Sequence, residues 1–343
     1  MTILFMDGFD WTLTQNDYVR KYDGYVGGLP SPSATYKRGD SGYGISQYSS
    51  SNGITKILTL DTYDTITVGF AVNPRGSASY YNDGPFLVFW DSADVRQVEF
   101  CFDSSYQIVA LRGDNTVLGT SSVAASLQNW HHIQVKVYVH DSSGTVDILA
   151  DEQSVLSLSS QDTRYGNAYI SKVSIYGLHA FQSMYYDDYW ITNGEFLGDC
   201  RVKTYFPDSD ETHTDFTRSG GSNNYEMVDE SDPDDDSTYN EANFLNAKDS
   251  YGVTPSTPGP IKAVQIGNMV RKTGSEGVIV KNLIRSGGSD YNSTEDKALT
   301  TDYGYLLSIH ETDPDDSNPW TQSKITSAEF GLQITSITTT TTT

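Results

Sequence analysis

Short runs of alternating apolar and polar residues dominate the first 197 residues of the chain. They include TITVGFAV at 65–72, HIQVKVYV at 132–139 and YISKVSIYG at 169–177, separated by turn-forming clusters such as NDGP and DSSG. Alternation with a period of two lets one face of each strand pack on a core, and many such runs with regular turns are typical of a sandwich or jelly roll. We find no amphipathic helix in this half. The pattern therefore predicts a β-sandwich over residues 1–197.

The character of the sequence changes after residue 197. An acid-rich stretch at 207–236 and a Pro-rich stretch at 254–260 are followed by strand-like runs at 261–272, 277–288, 303–311 and 329–337. A single helical turn is expected within 320–331. These patterns predict a second, smaller β domain over 198–338, with a role in assembly or anchoring, and a low-complexity Thr tail at 339–343. The predicted fold class of the whole chain is all-β.

The chain of 343 residues carries a net charge of −23, and acidic side chains are in excess in both halves. An acidic surface repels phosphate backbones, so nucleic acid is excluded as an expected partner. No apolar run of about 18 residues is present, so no membrane span is predicted. The sequence shows no secretory signal, and its two cysteines are too few for a disulfide framework. We expect a protein that matures in a cytoplasm.

The stretch NWHHIQVKVYV at 129–139 places two histidines side by side in a predicted strand. Neighbours on a strand point to opposite faces, so His131 and His132 cannot both bind one metal ion from a regular backbone. Trp130 and His132 fall on the more polar face, whereas His131 shares a face with the apolar residues. We interpret both histidines as structural.

The sequence matches known catalytic residue patterns only weakly. Retaining glycoside hydrolysis needs two carboxyl groups about 5 Å apart, and regular strand geometry places Asp187 and Asp188 on opposite faces. Glu99 and Asp103 share a face, but no third acid completes the pattern. No nucleophile elbow is present, and neither cysteine lies near a histidine in a known catalytic spacing. We therefore predict no catalytic residues and a chain that is not an enzyme.

Calcium is the one metal that the composition favours, because it binds oxygen ligands from acidic loops. The loop ESDPDDDSTYNE at 230–241 offers Asp232, Asp234 and Asp236 as candidate ligands. It lacks the glycine that an EF-hand loop requires, and Pro233 interrupts the alternation. An ordinary solvated loop is the alternative, and no other cofactor is predicted.

Tyrosine is abundant, with 24 residues, and several tyrosines lie in predicted turns or at strand ends. Aromatic rings of this kind can stack on sugars, and Tyr80, Tyr81, Tyr185 and Tyr186 are the candidates for glycan binding. Tyrosine is also favoured in strands and at protein interfaces. Assembly contacts are therefore the alternative use of the same surfaces.

Three motifs in the first half occur in an order that resembles concanavalin A-like, laminin-G-type jelly rolls. They are WHHIQVKVYV at 130–139, GTVDILADEQSVLSL at 144–158 and MYYDDYWI at 184–191. In that family a Trp-His step begins a core strand, a hairpin follows, and the closing strand carries two aspartates before an apolar residue. Here ADEQS replaces the usual Asp-Gly of the hairpin. The resemblance implies a concanavalin A-like sandwich over most of residues 1–197, an architecture suited to carbohydrate binding.

Residues 196–335 resemble a segment of structural proteins from tailed bacteriophages. The resemblance is carried by the acid-rich stretch that begins FLGDCRVKTYFPDSDETHTDF and by ETDPDDSNPWT at 311–321. It implies a virion component that is assembled in the host cytoplasm, contacts other virion proteins and forms a homo-oligomer. A tail, baseplate or fibre position is favoured. The alternatives are a lectin-like module that recognises host surface glycans and a head decoration protein.

Overall fold

The computed structural model describes residues 2–11, 14–28, 30–39, 42–47, 52–58, 63–75, 84–177, 184–256 and 259–338. The chain divides into two compact units, Met1–Thr204 and Tyr205–Thr343. The division therefore lies at 204/205, whereas the sequence placed it at 197/198. Regular structure is almost entirely antiparallel β, which confirms the predicted all-β fold class. The predicted Thr tail at 339–343 lies outside the described residues.

The strands described in the first unit are, in chain order, β1 (Ile3–Asp7), β2 (Gly24–Val26), β3 (Ser31–Ser33), β4 (Gly44–Gln47), β5 (Gly53–Ile57), β6 (Thr65–Pro74), β7 (Leu87–Trp90), β8 (Arg96–Phe102), β9 (Gln107–Arg112), β10 (Val117–Ala124), β11 (His131–Tyr138), β12 (Gly144–Ala150), β13 (Gln153–Gln161), β14 (Lys172–Tyr176) and β15 (Met184–Thr192). They form two sheets. The first has the order β13-β12-β11-β6-β15-β4-β3, with β1 also paired to β15. The second has the order β10-β9-β8-β7-β14-β5-β2. The arrangement is a jelly-roll sandwich.

The core of the sandwich comes from the apolar face of each alternating strand. On β6, Ile66, Val68 and Phe70 are all fully buried. The Phe70 ring meets Phe86 edge-on with 6.3 Å between ring centroids, and it meets Tyr186 in the same way at 5.5 Å. Aromatic side chains thus fill the space between the sheets, as the alternation predicted.

One helix of the first unit was not predicted. Helix α1 (Gln15–Lys21) follows β1, and its inward side consists of Tyr18, Lys21 and the following Tyr22, all of which are buried. The spacing of three and four residues places these side chains on one face of a helix. The helix has only seven residues, which is too short for a periodic pattern to show in the sequence. No helix in the described ranges is long and apolar enough to cross a lipid bilayer.

The strands described in the second unit are β16 (Ser209–Thr214), β17 (Thr217–Arg218), β18 (Asn240–Glu241), β19 (Lys248–Gly252), β20 (Val264–Val270), β21 (Gly277–Ser286), β22 (Ser289–Asn292), β23 (Lys297–Ala298), β24 (Gly304–His310) and β25 (Glu329–Thr338). The main sheet has the order β16-β19-β25-β21-β22, with β23 also paired to β21. The pairs β17-β18 and β20-β24 form two small sheets. A 3-10 turn spans Tyr225–Met227.

Helix α2 (Gln322–Ser327) lies in the segment where one helical turn was predicted, and it begins at a capping residue. Thr321 accepts a hydrogen bond from the Lys324 backbone nitrogen at 3.2 Å. Immediately before the cap, Trp320 is 2% exposed, and its Nε1 donates to the His310 carbonyl at 2.9 Å. Trp320 packs in a cluster with Ile266, Ile284, Ile325 and Ala328.

We expect Trp320→Ala to destabilise the chain by about 3–5 kcal/mol, because it empties a buried aromatic site and leaves the His310 carbonyl without its donor. Urea denaturation with a fluorescence or circular dichroism readout measures this change. Phe244→Ala is the matched control, because the Phe244 side chain is 49% exposed. It should change the free energy of unfolding by roughly 0.5 kcal/mol or less. Equal effects of the two substitutions would contradict the assignment of Trp320 to the core.

Candidate functional site: the outer face of the first sheet

The eight-stranded sheet of the first unit has a second face, directed away from the core, which we call the outer face. On β6 the outer face is formed by the residues that alternate with the core positions, namely Thr67, Gly69, Ala71 and Asn73. Cross-strand partners share a face, so the register of β6 shows which residues adjoin. His132 of β11 pairs with Ala71, and Asp187 of β15 pairs with Ala71 from the other side. The outer face is therefore polar, with an imidazole and a carboxylate on either side of one alanine.

The next row of the outer face is built around Gly69. Gln134 of β11 pairs with Gly69 on one side, and Trp190 of β15 pairs with Gly69 on the other side. A Cβ atom at position 69 would lie 2.1 Å from Cζ2 of Trp190. The indole therefore lies flat on the backbone of β6, which requires glycine at this position. Trp190 is 1% exposed, so something must cover it.

The cover is the last segment of the first unit, residues 193–204, which we call the strap. At its start, the Thr67 hydroxyl donates to the Gly194 carbonyl at 2.9 Å. At its centre, the Gly198 nitrogen donates to Oε1 of Gln134 at 3.0 Å. The strap thus crosses the outer face and is hydrogen-bonded to outward-pointing side chains of the sheet. Sequence analysis did not predict it, because GEFLGDC has no periodic pattern.

The end of the strap is held by two arginines. Arg38 binds both carboxylate oxygens of Asp199, each at 2.6 Å. Arg201 Nη1 donates to the Arg38 carbonyl at 2.6 Å and to Oδ2 of Asp188 at 3.3 Å. A bidentate arginine–carboxylate pair fixes orientation as well as position. None of Arg38, Asp199 and Arg201 was selected from the sequence.

His132 lies beneath the strap, and its side chain is completely buried. Within the described part of the chain, neither ring nitrogen has a hydrogen-bond partner, and the ring centroid is 6.4 Å from that of Trp190. Burial lowers the pKa of His132 to about 4, so the imidazole is neutral at pH 7. The structure confirms the predicted separation of the histidine pair. His131 points elsewhere, and its Nδ1 is hydrogen-bonded to Oδ2 of Asp151 at 2.7 Å.

A β-bulge lies in β15 beside this site. Asp187 pairs with Ala71 and Trp190 pairs with Gly69, so two residues of β15 face a single residue of β6. Asp188 has φ of +54°, in the left-handed region. The regular alternation on which the sequence argument relied is therefore broken here. Both carboxylates lie against Arg38: Asp187 Oδ2 accepts its backbone N–H at 2.6 Å, and Asp188 Oδ2 lies 3.5 Å from Nη1.

Burial dominates the electrostatics of the aspartate pair. Asp187 is 5% exposed and Asp188 is 3% exposed. Desolvation raises the pKa of both carboxyls, and repulsion from Asp188 raises the pKa of Asp187 further. Hydrogen bonds from backbone amides oppose the shift, including the one from Val202 to Asp188 Oδ1 at 2.9 Å. The pair therefore holds protons at a pH where ordinary aspartates are ionised.

Two of the four tyrosines predicted to bind glycans lie within the described residues. Tyr185 is half-buried at the end of the outer face. The Tyr36 ring stacks on it with 4.3 Å between centroids, and the Arg75 guanidinium lies 4.8 Å from its centroid. Tyr186 is fully buried, and its hydroxyl donates to the Tyr176 carbonyl at 2.7 Å. Its assignment as a glycan-binding residue is therefore corrected, because it faces the core. Tyr80 and Tyr81 lie outside the described residues.

The predicted calcium ligands have other partners. Asp234 accepts hydrogen bonds from the backbone and the hydroxyl of Thr238, both at 3.0 Å. Asp236 pairs with Arg271 at 2.6 Å and accepts from the Tyr303 hydroxyl at 2.8 Å. Asp232 lies in the same loop. Among the residues that the structure describes, no group of three or more His, Cys, Asp or Glu is placed to hold a metal ion. Calcium binding by these residues stays a prediction.

Comparisons with known proteins give structural likeness only. No protein-family model and no curated protein matches the sequence. Among solved structures, the chain is similar to the cellulose-induced protein Cip1, with 12% identity, a TM-score of 0.42 and coverage of 58% of this chain and 99% of that one. It is also similar to Trypanosoma rangeli sialidase in complex with the inhibitor DANA, with 16% identity, a TM-score of 0.35 and coverage of 46% and 26%. Alginate lyase Aly36B follows at 9% identity and a TM-score of 0.34, with coverage of 56% and 98%.

The prediction that the chain is not an enzyme is corrected. A sialidase and an alginate lyase are among the solved structures that it resembles. The structure also removes the geometric reason for the prediction, because the bulge at Asp188 brings both carboxylates against Arg38 instead of placing them on opposite faces.

The buried aspartates make stability depend on pH. Because the folded state raises the pKa of Asp187 and Asp188 above their unfolded values, the folded chain binds more protons than the unfolded chain over the intervening pH range. Their contribution is fully present below the unfolded pKa and is lost as the pH rises through the folded values. We expect the free energy of unfolding to fall between about pH 5 and pH 8, by up to ~1.4 kcal/mol per pH unit for each proton retained.

Urea denaturation at several pH values measures this slope in the wild type and in Asp187→Asn, which cannot ionise and should flatten the slope. Absolute stability is not the readout, because Asn also loses one hydrogen-bond acceptor. Asp229→Asn, at an exposed position, is the control and should leave the slope unchanged. A slope that is the same in all three proteins would contradict the assignment.

Proposed function

We propose that the chain is a structural component of a tailed bacteriophage particle and that its first unit binds carbohydrate at the patch formed by Tyr36, Tyr185 and Arg75. The observation that carries the binding proposal is the stacked pair of tyrosine rings with a guanidinium beside it. Preorganised aromatic rings with a few polar groups at the rim are typical of small-molecule and sugar sites. The ligand would be a surface polysaccharide of the host cell.

The position of the patch on the outer face supports this proposal. The strap covers the face at Trp190 and His132, both of which are at most 1% exposed. Tyr36, Tyr185 and Arg75 are each half-buried, so part of every side chain reaches solvent. The patch is thus the aromatic part of the outer face that a ligand can reach without displacing the strap.

We expect Tyr36→Ala and Tyr185→Ala each to weaken glycan binding by about tenfold or more, which corresponds to ~1.4 kcal/mol. A glycan array and a pull-down with host lipopolysaccharide, both with the full chain, identify the ligand, and calorimetry then compares the variants. Tyr165→Ala is the matched control, because Tyr165 is a 52% exposed tyrosine of the same unit and lies outside the patch. No binding by the wild type, or equal loss in the control, would contradict the proposal.

The virion assignment is supported by the resemblance of residues 196–335 to structural proteins of tailed phages. A tail, baseplate or fibre position is favoured over a head decoration, with a homo-oligomer in contact with other virion proteins. The acidic surface, with a net charge of −23, suits basic faces of such partners.

Mass spectrometry of purified particles tests the assignment, and labelling with an antibody against the chain then locates it by electron microscopy. We expect the chain in intact particles at several copies, with label at the tail end. Its absence from particles made in cells that produce the chain would contradict the assignment.

A further inference from the structure

Lys21 is an unusual lysine, because its whole side chain is buried. Its Nζ lies 2.7 Å from Oδ1 of Asp7, and both side chains are 0% exposed. Among the residues that the structure describes, this carboxylate is the polar group beside the ammonium, which therefore lacks the full set of acceptors that a buried charge requires. The centroid of the Trp11 ring lies 3.8 Å from Nζ, in a cation–π contact. A nitrogen and a carboxyl group thus touch in a water-excluded site.

The Asp7 carboxyl is held firmly in place by hydrogen bonds. The Tyr22 hydroxyl donates to Oδ2 at 2.7 Å, and the Phe9 backbone nitrogen donates to Oδ1 at 2.7 Å. Tyr22 packs edge-on against Phe5 with 5.5 Å between ring centroids, which fixes the hydroxyl. Donors on both oxygens stabilise the negative charge that appears on oxygen when a nucleophile attacks the carbon between them.

We propose that Lys21 and Asp7 form an intramolecular isopeptide bond that joins the end of β1 to the end of α1. A desolvated lysine amine is a nucleophile, and fixed contact with its target replaces the encounter of two free groups. Burial lowers the pKa of Lys21, which favours the neutral amine that the reaction needs. The bond is independent of the carbohydrate and virion proposals.

The reaction is a condensation that needs no further reagent. One proton moves from the lysine ammonium to the aspartate, which converts the ion pair to an amine and a carboxylic acid. The lone pair of Nζ attacks Cγ of Asp7, and the C–N bond forms. A proton passes from this nitrogen to a hydroxyl on Cγ, the C–O bond breaks, and one water molecule leaves. The product is a secondary amide.

Mass spectrometry of the intact, folded full chain tests the proposal. We expect a mass lower than that of the linear sequence by one water molecule. Lys21→Arg keeps the positive charge but cannot form the amide, and it should have its full linear mass. Asp7→Asn should yield the same product mass as the wild type, because an asparagine releases ammonia and leaves the identical amide.

Trypsin digestion locates the bond. In the linked chain, the amide between Asp7 and Lys21 should hold the peptides 1–20 and 21–37 together. The second peptide begins at Lys21 because trypsin does not cleave after an acylated lysine. In an unlinked chain, the peptides 1–20 and 22–37 separate. Cyclisation of Asp7 onto the nitrogen of Gly8 would also release one water, but it would leave these peptides separate. Separate peptides, or the linear mass in a chain that circular dichroism shows to be folded, would overturn the proposal.

Discussion

The bulge at Asp188–Tyr189 is the constraint on which the first unit depends. It lies where the neighbour of β15 changes from β4, paired at residues 184–186, to β1, paired at residues 189–192. One central strand thereby pairs with two different strands on the same side. Left-handed backbone at a non-glycine residue costs ~1 kcal/mol. Hydrogen bonds to the two aspartates from the backbones of Arg38 and Val202 offset that cost and bring the strap onto the sheet.

The sequence predicted the sandwich well, since its strands carry the alternation that burial of one face demands. HIQVKVYV became β11 with Ile133, Val135 and Val137 in the core, and His132 on the opposite face, as the period of two required. The same rule failed at Asp188. A bulge is set by the pairing of β15 with three other strands, and no local residue pattern specifies it. The argument about two aspartates on opposite faces failed with it.

The candidate site was only partly predictable. Tyr185 was found because an aromatic residue at the end of a strand is visible in the sequence, but Tyr186 was assigned to the same surface although it faces the core. Tyr36 and Arg75 come from other parts of the chain and meet Tyr185 only in the folded sheet. Likewise, no pattern in the sequence distinguishes Lys21 from the other basic residues. Contacts between residues far apart in sequence cannot be predicted from the local residue pattern.

The strap also determines where the first unit can be cut from the rest of the chain. A fragment that ended at residue 197, where the sequence pattern changes, would lack Asp199, Arg201 and the backbone donors of Val202 and Thr204. Arg38 would then lose its bidentate partner, and Asp188 and Asp10 would each lose a hydrogen bond to a buried oxygen. Such a fragment would keep these polar groups with fewer partners and would be less stable than the whole unit. A fragment that continues through Thr204 keeps the cover, so the last seven residues of the unit decide whether it can be studied alone.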